Sequence, residues 1–220
     1  MSWWLEACQS PSESVLAQAL ARQSQLTKPT GSLSELESVA VTLASLQNTV
    51  KPKIDRPWIT IFAGDHGVME EKISAYPQAV TRQMLQNFAT GGACISVIAK
   101  EYQAKLQVID CGSVGEAYEY VGVERHCIRA GTANFAQTQA MTEAECEAAF
   151  ALGQKSVEDA IAYGADIYVA GEMGIGNTCS ASAVACFLLA EPAKKLTGVG
   201  TGIRTEQLIH KKQVIDQALS

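Results

Sequence analysis

The chain has 220 residues, 47% of them hydrophobic and 18% charged, which suits one sizeable core, or one domain with a small appendage, and excludes a disordered chain. A net charge of −6, a pI near 5.1 and no Lys/Arg-rich run argue against nucleic acid as a partner. Seven cysteines, an odd count at irregular spacing with no C-x-x-C pair, read as reduced thiols rather than a disulfide framework or a zinc site.

The opening Met1-Ser2-Trp3-Trp4-Leu5-Glu6 lacks the basic and apolar regions of a secretory signal. No window reaches the roughly 18 apolar residues of a membrane span, so a cytoplasmic location without a membrane partner is expected. Residues 12–26 carry apolar side chains at helical spacing (Val15, Leu16, Ala19, Leu20), and residues 34–46 repeat it through Leu36, Val39, Ala40 and Leu43. Ser34 with Glu37 reads as a capping box. These two helices, residues 1–50, are expected to form a small helical subdomain, and residues 51–220 the main domain.

Past Lys51-Pro52-Lys53, the run Trp58-Ile59-Thr60-Ile61-Phe62-Ala63 is short and apolar, the pattern of a buried strand, and it ends in Gly64-Asp65-His66-Gly67. Helical pattern occupies 77–88 and, after Gly91-Gly92, 93–101. A strand is expected at 106–110, ending at Cys111-Gly112. The longest helix, 142–163, opens with Thr142 and Glu145 at capping-box offset. Then come a strand at 166–170, a helix near 177–190, a strand near 196–199 and a last helix at 205–219. Strands alternating with helices predict an α/β fold, a mostly parallel, Rossmann-like sheet with helices on both faces.

Ligands of such sheets collect outside the carboxyl ends of the strands. Three of the expected strand ends carry polar or glycine-rich turns, at 64–67, 171–174 and 198–202, and can share one cleft. The richest is Ala170-Gly171-Glu172-Met173-Gly174-Ile175-Gly176-Asn177-Thr178. A glycine-rich turn opening a helix aims backbone N–H groups and the helix dipole at one point, here beside a carboxylate, which is a place for a phosphate next to a base. The same glycines also suit a plain tight connection, since their spacing matches neither the dinucleotide fingerprint nor the P-loop. That mismatch also disfavours a nicotinamide-dependent oxidoreductase. Asp65 and His66 fall short of a metal site, which needs three or more ligands; His126 and His210 are the other histidines. A hydrogen-bonding role is expected for the pair, with no metal and no cofactor.

Several segments, in order, resemble the signatures of the nicotinate-nucleotide:dimethylbenzimidazole phosphoribosyltransferase family. They are Leu26-Thr27-Lys28-Pro29-Thr30-Gly31-Ser32-Leu33 with Leu36-Glu37, Ala63-Gly64-Asp65-His66-Gly67-Val68, and Tyr76-Pro77-Gln78-Ala79-Val80-Thr81 with Met84. Gly91-Gly92-Ala93, Val108 to Gly112, Gly131-Thr132-Ala133-Asn134-Phe135, Gly171 to Thr178 and Gly198-Val199-Gly200 continue the series. The resemblance implies a homodimeric enzyme of cobalamin assembly. It would move the 5-phosphoribosyl group of nicotinate mononucleotide onto 5,6-dimethylbenzimidazole, giving α-ribazole 5′-phosphate and nicotinate.

By that resemblance Glu172 matches an active-site glutamate and Lys211 a lysine that meets the ribose phosphate. Gly174, Ile175, Gly176, Asn177, Gly200 and Asp65 match positions around the phosphoribosyl group, and Tyr76, Pro77 and Met84 match the walls of the benzimidazole pocket. Family members are longer, and the Arg-Leu-Gly-Glu-Gly-like segment that carries their general base has no counterpart before Ser220. The expectation is therefore a C-terminally truncated member with weak or absent turnover alone. The alternative reading is a protein that binds the nucleotide or the benzimidazole without converting it.

Overall fold

The computed structural model describes residues 3–116 and 118–220. The chain divides into two units, one ending at Asp55 and the other Arg56–Ser220. In the first, α1 (Glu13–Gln25) and α2 (Glu35–Leu46) bury Val15 and Ala19 against Val41 and Ala44, with Val50 beside them. Ser12 caps α1 by accepting the Val15 N–H. The capping box expected at Ser34 does not form. Ser34 sits at φ +48°, outside the extended conformation a capping hydroxyl requires. Glu37 instead accepts the Leu33 N–H at 3.1 Å and pairs with Lys28 at 2.7 Å.

The second unit is built on four strands, β1 (Pro57–Gly64), β2 (Lys105–Gly112), β3 (Glu124–Arg125) and β4 (Ile167–Met173), all parallel in the order β3-β2-β1-β4. Strand β1 is central because its side chains are apolar or internally satisfied on both faces. On one face Ile59, Ile61 and Ala63 pack with Leu85 and Phe88 of α3 (Ala79–Ala89) and Ala99 of α4 (Cys94–Glu101). On the other, Thr60 Oγ1 accepts from Trp58 Nε1 (2.9 Å) and bonds Gln107 Oε1 (3.0 Å). It also bonds Ser156 Oγ (2.8 Å) of α5 (Glu143–Tyr163), which reaches the Tyr168 hydroxyl on β4. The fold is thus α/β, with helices on both faces of the sheet. Helix α5 opens with the expected Thr142/Glu145 capping box and closes at Gly164, φ +78°.

A second core joins α6 (Asn177–Leu189), α7 (Ala193–Leu196) and α8 (Thr205–Ala218), through Cys179, Ala183, Cys186, Ala193, Val214 and Ile215 around Val68. The strand expected at 196–199 is absent from the described residues. Pro192 starts a helical turn that ends at Leu196, Asp216 accepts the Ala193 N–H at 3.0 Å, Thr197 N–H closes the turn on Ala193, and 197–199 follow without regular structure. No helix among the described residues is long and apolar enough to cross a membrane.

Candidate functional site

The carboxyl ends of β1 and β4 lie side by side, with Phe62 paired to Glu172 and Ala63 to Met173. Beyond β1 the chain passes straight into Asp65, 3% exposed and bonded on every side. Its Oδ1 accepts from Thr81 Oγ1 at 2.7 Å and its Oδ2 from the Val114 N–H at 2.9 Å. Its own N–H donates to Gly112 O and its carbonyl accepts from Thr132 N–H. Burial pushes its carboxyl above the usual range, against the pull of those hydrogen bonds and of His66. His66 follows, its Nε2 bonded to Asn177 Oδ1 and its Nδ1 3.0 Å from Ser180 Oγ, so that the β1 loop grips the first turn of α6.

Beyond β4 the turn Gly174-Ile175-Gly176 leads into α6. A side chain at Gly174 would land on the Gly64 carbonyl oxygen, so the two strand ends can approach only with glycine there. Gly176, the N-cap of α6, has φ +103°, which L side chains rarely adopt. Ile175 N–H donates to Thr81 Oγ1 at 3.0 Å.

Two cavities meet at Asn177. The larger, about 240 Å³, is walled by Phe62, Met141, Met173 and Ala149 and carries Asp65, His66, Arg129, Glu145 and Glu172. Glu172 remains solvent-accessible, yet the protein packed around its carboxyl raises its pKa, with the charge of His66 opposing. Cys111 also lines this cavity, and burial pushes its thiol up to about 11, so it stays un-ionised at neutral pH. The smaller cavity is a slot of about 30 Å³ lined by Ser74, Gly174 through Thr178, Val199, Thr201 and Lys211.

Lys211, on α8, is 1% exposed; its Nζ donates to Thr178 Oγ1 at 2.8 Å and to Gly198 O at 3.3 Å. Burial lowers its pKa, against the pull of Cys179. Among the described residues no carboxylate pairs with it, so its charge and the N-terminus of α6 both face the slot without a counter-ion. Gly200 belongs to the same place, since a Cβ there would stand 2.7 Å from Thr178 Oγ1 and 3.5 Å from Lys211 Nζ.

The structure therefore gathers Gly174, Ile175, Gly176, Asn177, Gly200 and Lys211 at one slot, ties Asp65 to it through Thr81, and sets Glu172 in the adjoining cavity. Tyr76 and Pro77 are exposed, Tyr76 N–H bonding Ser74 Oγ, and line neither cavity. Met84 is half-buried on α3, in a separate groove with Val80, Gln83 and Asn87. Sequence reasoning missed Thr81, Thr178 and Ser180. Thr81 carries a signal, being polar on the Thr81/Leu85/Phe88 stripe that α3 buries. Among the described residues no group of three or more His, Cys, Asp and Glu could hold a metal ion.

The model of the phosphoribosyltransferase family matches residues 8–220. The chain is 54% identical over 219 residues to a nicotinate-nucleotide–dimethylbenzimidazole phosphoribosyltransferase of Pseudomonas fluorescens, covering all of this chain and 62% of that one. It is 47% identical to the enzyme of the same name from Pseudomonas aeruginosa, covering 63% of it. Among solved structures, CobT from Thermus thermophilus superposes with a TM-score of 0.86 at 46% identity, covering 94% of this chain and 62% of that one. The chain thus spans less than two thirds of the length of the curated relatives it matches.

Proposed function

The chain belongs to the phosphoribosyltransferase family, and from that premise we propose that it moves the 5-phosphoribosyl group of nicotinate mononucleotide onto 5,6-dimethylbenzimidazole, in cobalamin assembly. Its relatives carry the name of that reaction. The observation that carries the reading is Lys211, a buried cation with no carboxylate partner among the described residues, beside a glycine-rich turn that opens a helix and follows a strand bearing Glu172.

In this reading the ribose phosphate takes the slot, where Lys211, the Thr178 hydroxyl and the α6 N-terminus neutralise it. Nicotinate leaves as a neutral ring nitrogen, its bond to the anomeric carbon giving its electron pair to the former pyridinium, so no acid is needed to protonate it. The attacking benzimidazole nitrogen forms the new bond as its partner N–H gives up a proton. Glu172 is the carboxylate of this chain placed to accept that proton, and its raised pKa makes it a stronger base than an ordinary surface glutamate. Its negative charge also favours the positive charge developing at the anomeric carbon. Tyr76, Pro77 and Met84 are assigned to the acceptor's surroundings by their match to the family's pocket. No cofactor or metal enters the scheme.

The reading extends to a homodimer and to the reducing cytoplasm. Exposed Val184, Phe187 and Leu188 on α6 support a covered apolar face, and the seven free cysteines support a reducing compartment.

The test is to incubate the purified chain with nicotinate mononucleotide and 5,6-dimethylbenzimidazole and resolve nicotinate and α-ribazole 5′-phosphate by chromatography. Both products appearing together, and vanishing with Glu172→Gln, establish the transfer. Calorimetric binding of the nucleotide with no product supports the binding protein instead.

A further inference from the structure

We propose that Thr81 is a positioning residue of the phosphoribosyl slot, and that Asp65 acts through it rather than touching substrate. The inference rests on the reading of that slot given above. The geometry is a relay of two hydrogen bonds across three segments: Thr81 Oγ1 donates to Asp65 Oδ1 at 2.7 Å and accepts from Ile175 N–H at 3.0 Å. A threonine hydroxyl has one proton. Once that proton is committed to the carboxylate, the oxygen's lone pairs face the turn, and the anionic partner makes the oxygen a better acceptor for Ile175 N–H.

The Asp65 carboxylate has no oxygen free for a ligand, although the residue borders the larger cavity. It is 3% exposed, and both of its oxygens are already engaged, one by Thr81 and the other by Val114 N–H. Two donors approach two oxygens, which explains aspartate at this position: an asparagine would turn an NH₂ toward one of them. The same residue holds Gly112 and Thr132 through its backbone. Asp65 therefore fixes the end of β1 to the loop after β2, and Thr81 carries that fixed point to the turn after β4. Ile175 lies between the two glycines of that turn with its side chain buried, and the bond from its N–H to Thr81 Oγ1 is the link that ties the turn's backbone to Asp65. Loss of the relay leaves Lys211 in place and loosens the backbone opposite it.

The test uses the whole chain, ¹⁵N-labelled, as wild type, Thr81→Val and Thr81→Ser. Amide exchange is read at Ile175 and, as a control, at Cys179, whose N–H bonds Gly176 O. Binding of nicotinate mononucleotide and of inorganic phosphate is read by calorimetry. The expected result is about tenfold faster exchange at Ile175 and about tenfold weaker binding in Thr81→Val. Exchange at Cys179 should be unchanged, and Thr81→Ser should restore both wild-type values. Wild-type exchange and affinity in Thr81→Val overturn the proposal, as does a loss that Thr81→Ser fails to restore, which marks a packing role for the methyl group.

If wild type binds neither probe, the reading of the slot fails, while the exchange comparison still decides the relay. Should Thr81→Val not fold, Asp65→Asn takes its place. Weaker phosphate binding with Lys211 intact supports the relay, and unchanged affinity overturns it.

Discussion

The Nζ of Lys211 lies 2.8 Å from the Thr178 hydroxyl, joining the last helix of the chain to the first turn of α6 across a narrow slot. The buried ammonium has its pKa lowered by desolvation. The charged form therefore costs stability at neutral pH, a cost fully present below the folded pKa and lost as pH rises toward the value of the free side chain. Lys211→Met is expected to leave the Tm of the ligand-free protein at or above wild type and to abolish the rise in Tm with saturating phosphate. Each kcal/mol of ligand stabilisation corresponds to about 3 °C in a chain of this size. Thermal scans with and without phosphate check both.

Glu172 has its pKa raised, and the sign is the reverse of that for a salt-bridged acid. Its contribution to stability is fully present below the unfolded pKa and is lost as pH rises through the folded one. As a base it becomes competent at higher pH than an ordinary glutamate. The rate of nicotinate release should fall on acidification with a midpoint above 4.5. Glu172→Gln should lower that rate by about 10²–10⁴-fold and flatten the acid limb.

Two glycines give opposite outcomes. Gly174→Ala drives a methyl group into the Gly64 carbonyl oxygen, forcing one strand end to move. A loss of about 3 kcal/mol is expected, with loss of phosphate binding. Gly153→Ala, within α5 with nothing within 4 Å of the new carbon, should stabilise by about 0.5–1 kcal/mol and leave binding unchanged. Denaturant titration separates the two.

Thr60→Val keeps the shape of the side chain and removes the shared partner of Trp58, Gln107 and Ser156 beneath the sheet. The expected cost is about 1–3 kcal/mol, from buried donors and acceptors left unpaired. A matching fall in the denaturant midpoint, without a change in affinity for phosphate, checks it.

Short apolar runs announced β1 and β2, whose middle residues are buried on both faces, and also β4, an edge strand that is only partly covered; the Thr142/Glu145 cap announced α5 because its chemistry is local. Strand β3 is two charged residues, Glu124 and Arg125, and its pairing comes from its neighbour rather than its own composition. Residues 196–199 look like a strand by apolarity alone; Pro192 and the distant Asp216 hold a helical turn that ends at Leu196, and 197–199 run on without regular structure. At the site, the glycine-rich turn was readable because glycine spacing reports backbone geometry. The grouping of Lys211 with Gly200 became visible by resemblance. Thr81 remained hidden, since what defines it is the meeting of Asp65 and Ile175, two residues far from it and from each other along the chain.

Strand β1 sits between two parallel partners, and its flanking Arg56 bonds Asp166, 110 residues downstream. At a synthesis rate of about 5–20 residues per second, β1 waits roughly 5–20 s for the partner on that side to emerge from the ribosome. During that interval the most apolar segment of the sheet has one open edge, and the slot lined by the turn after β4 does not exist.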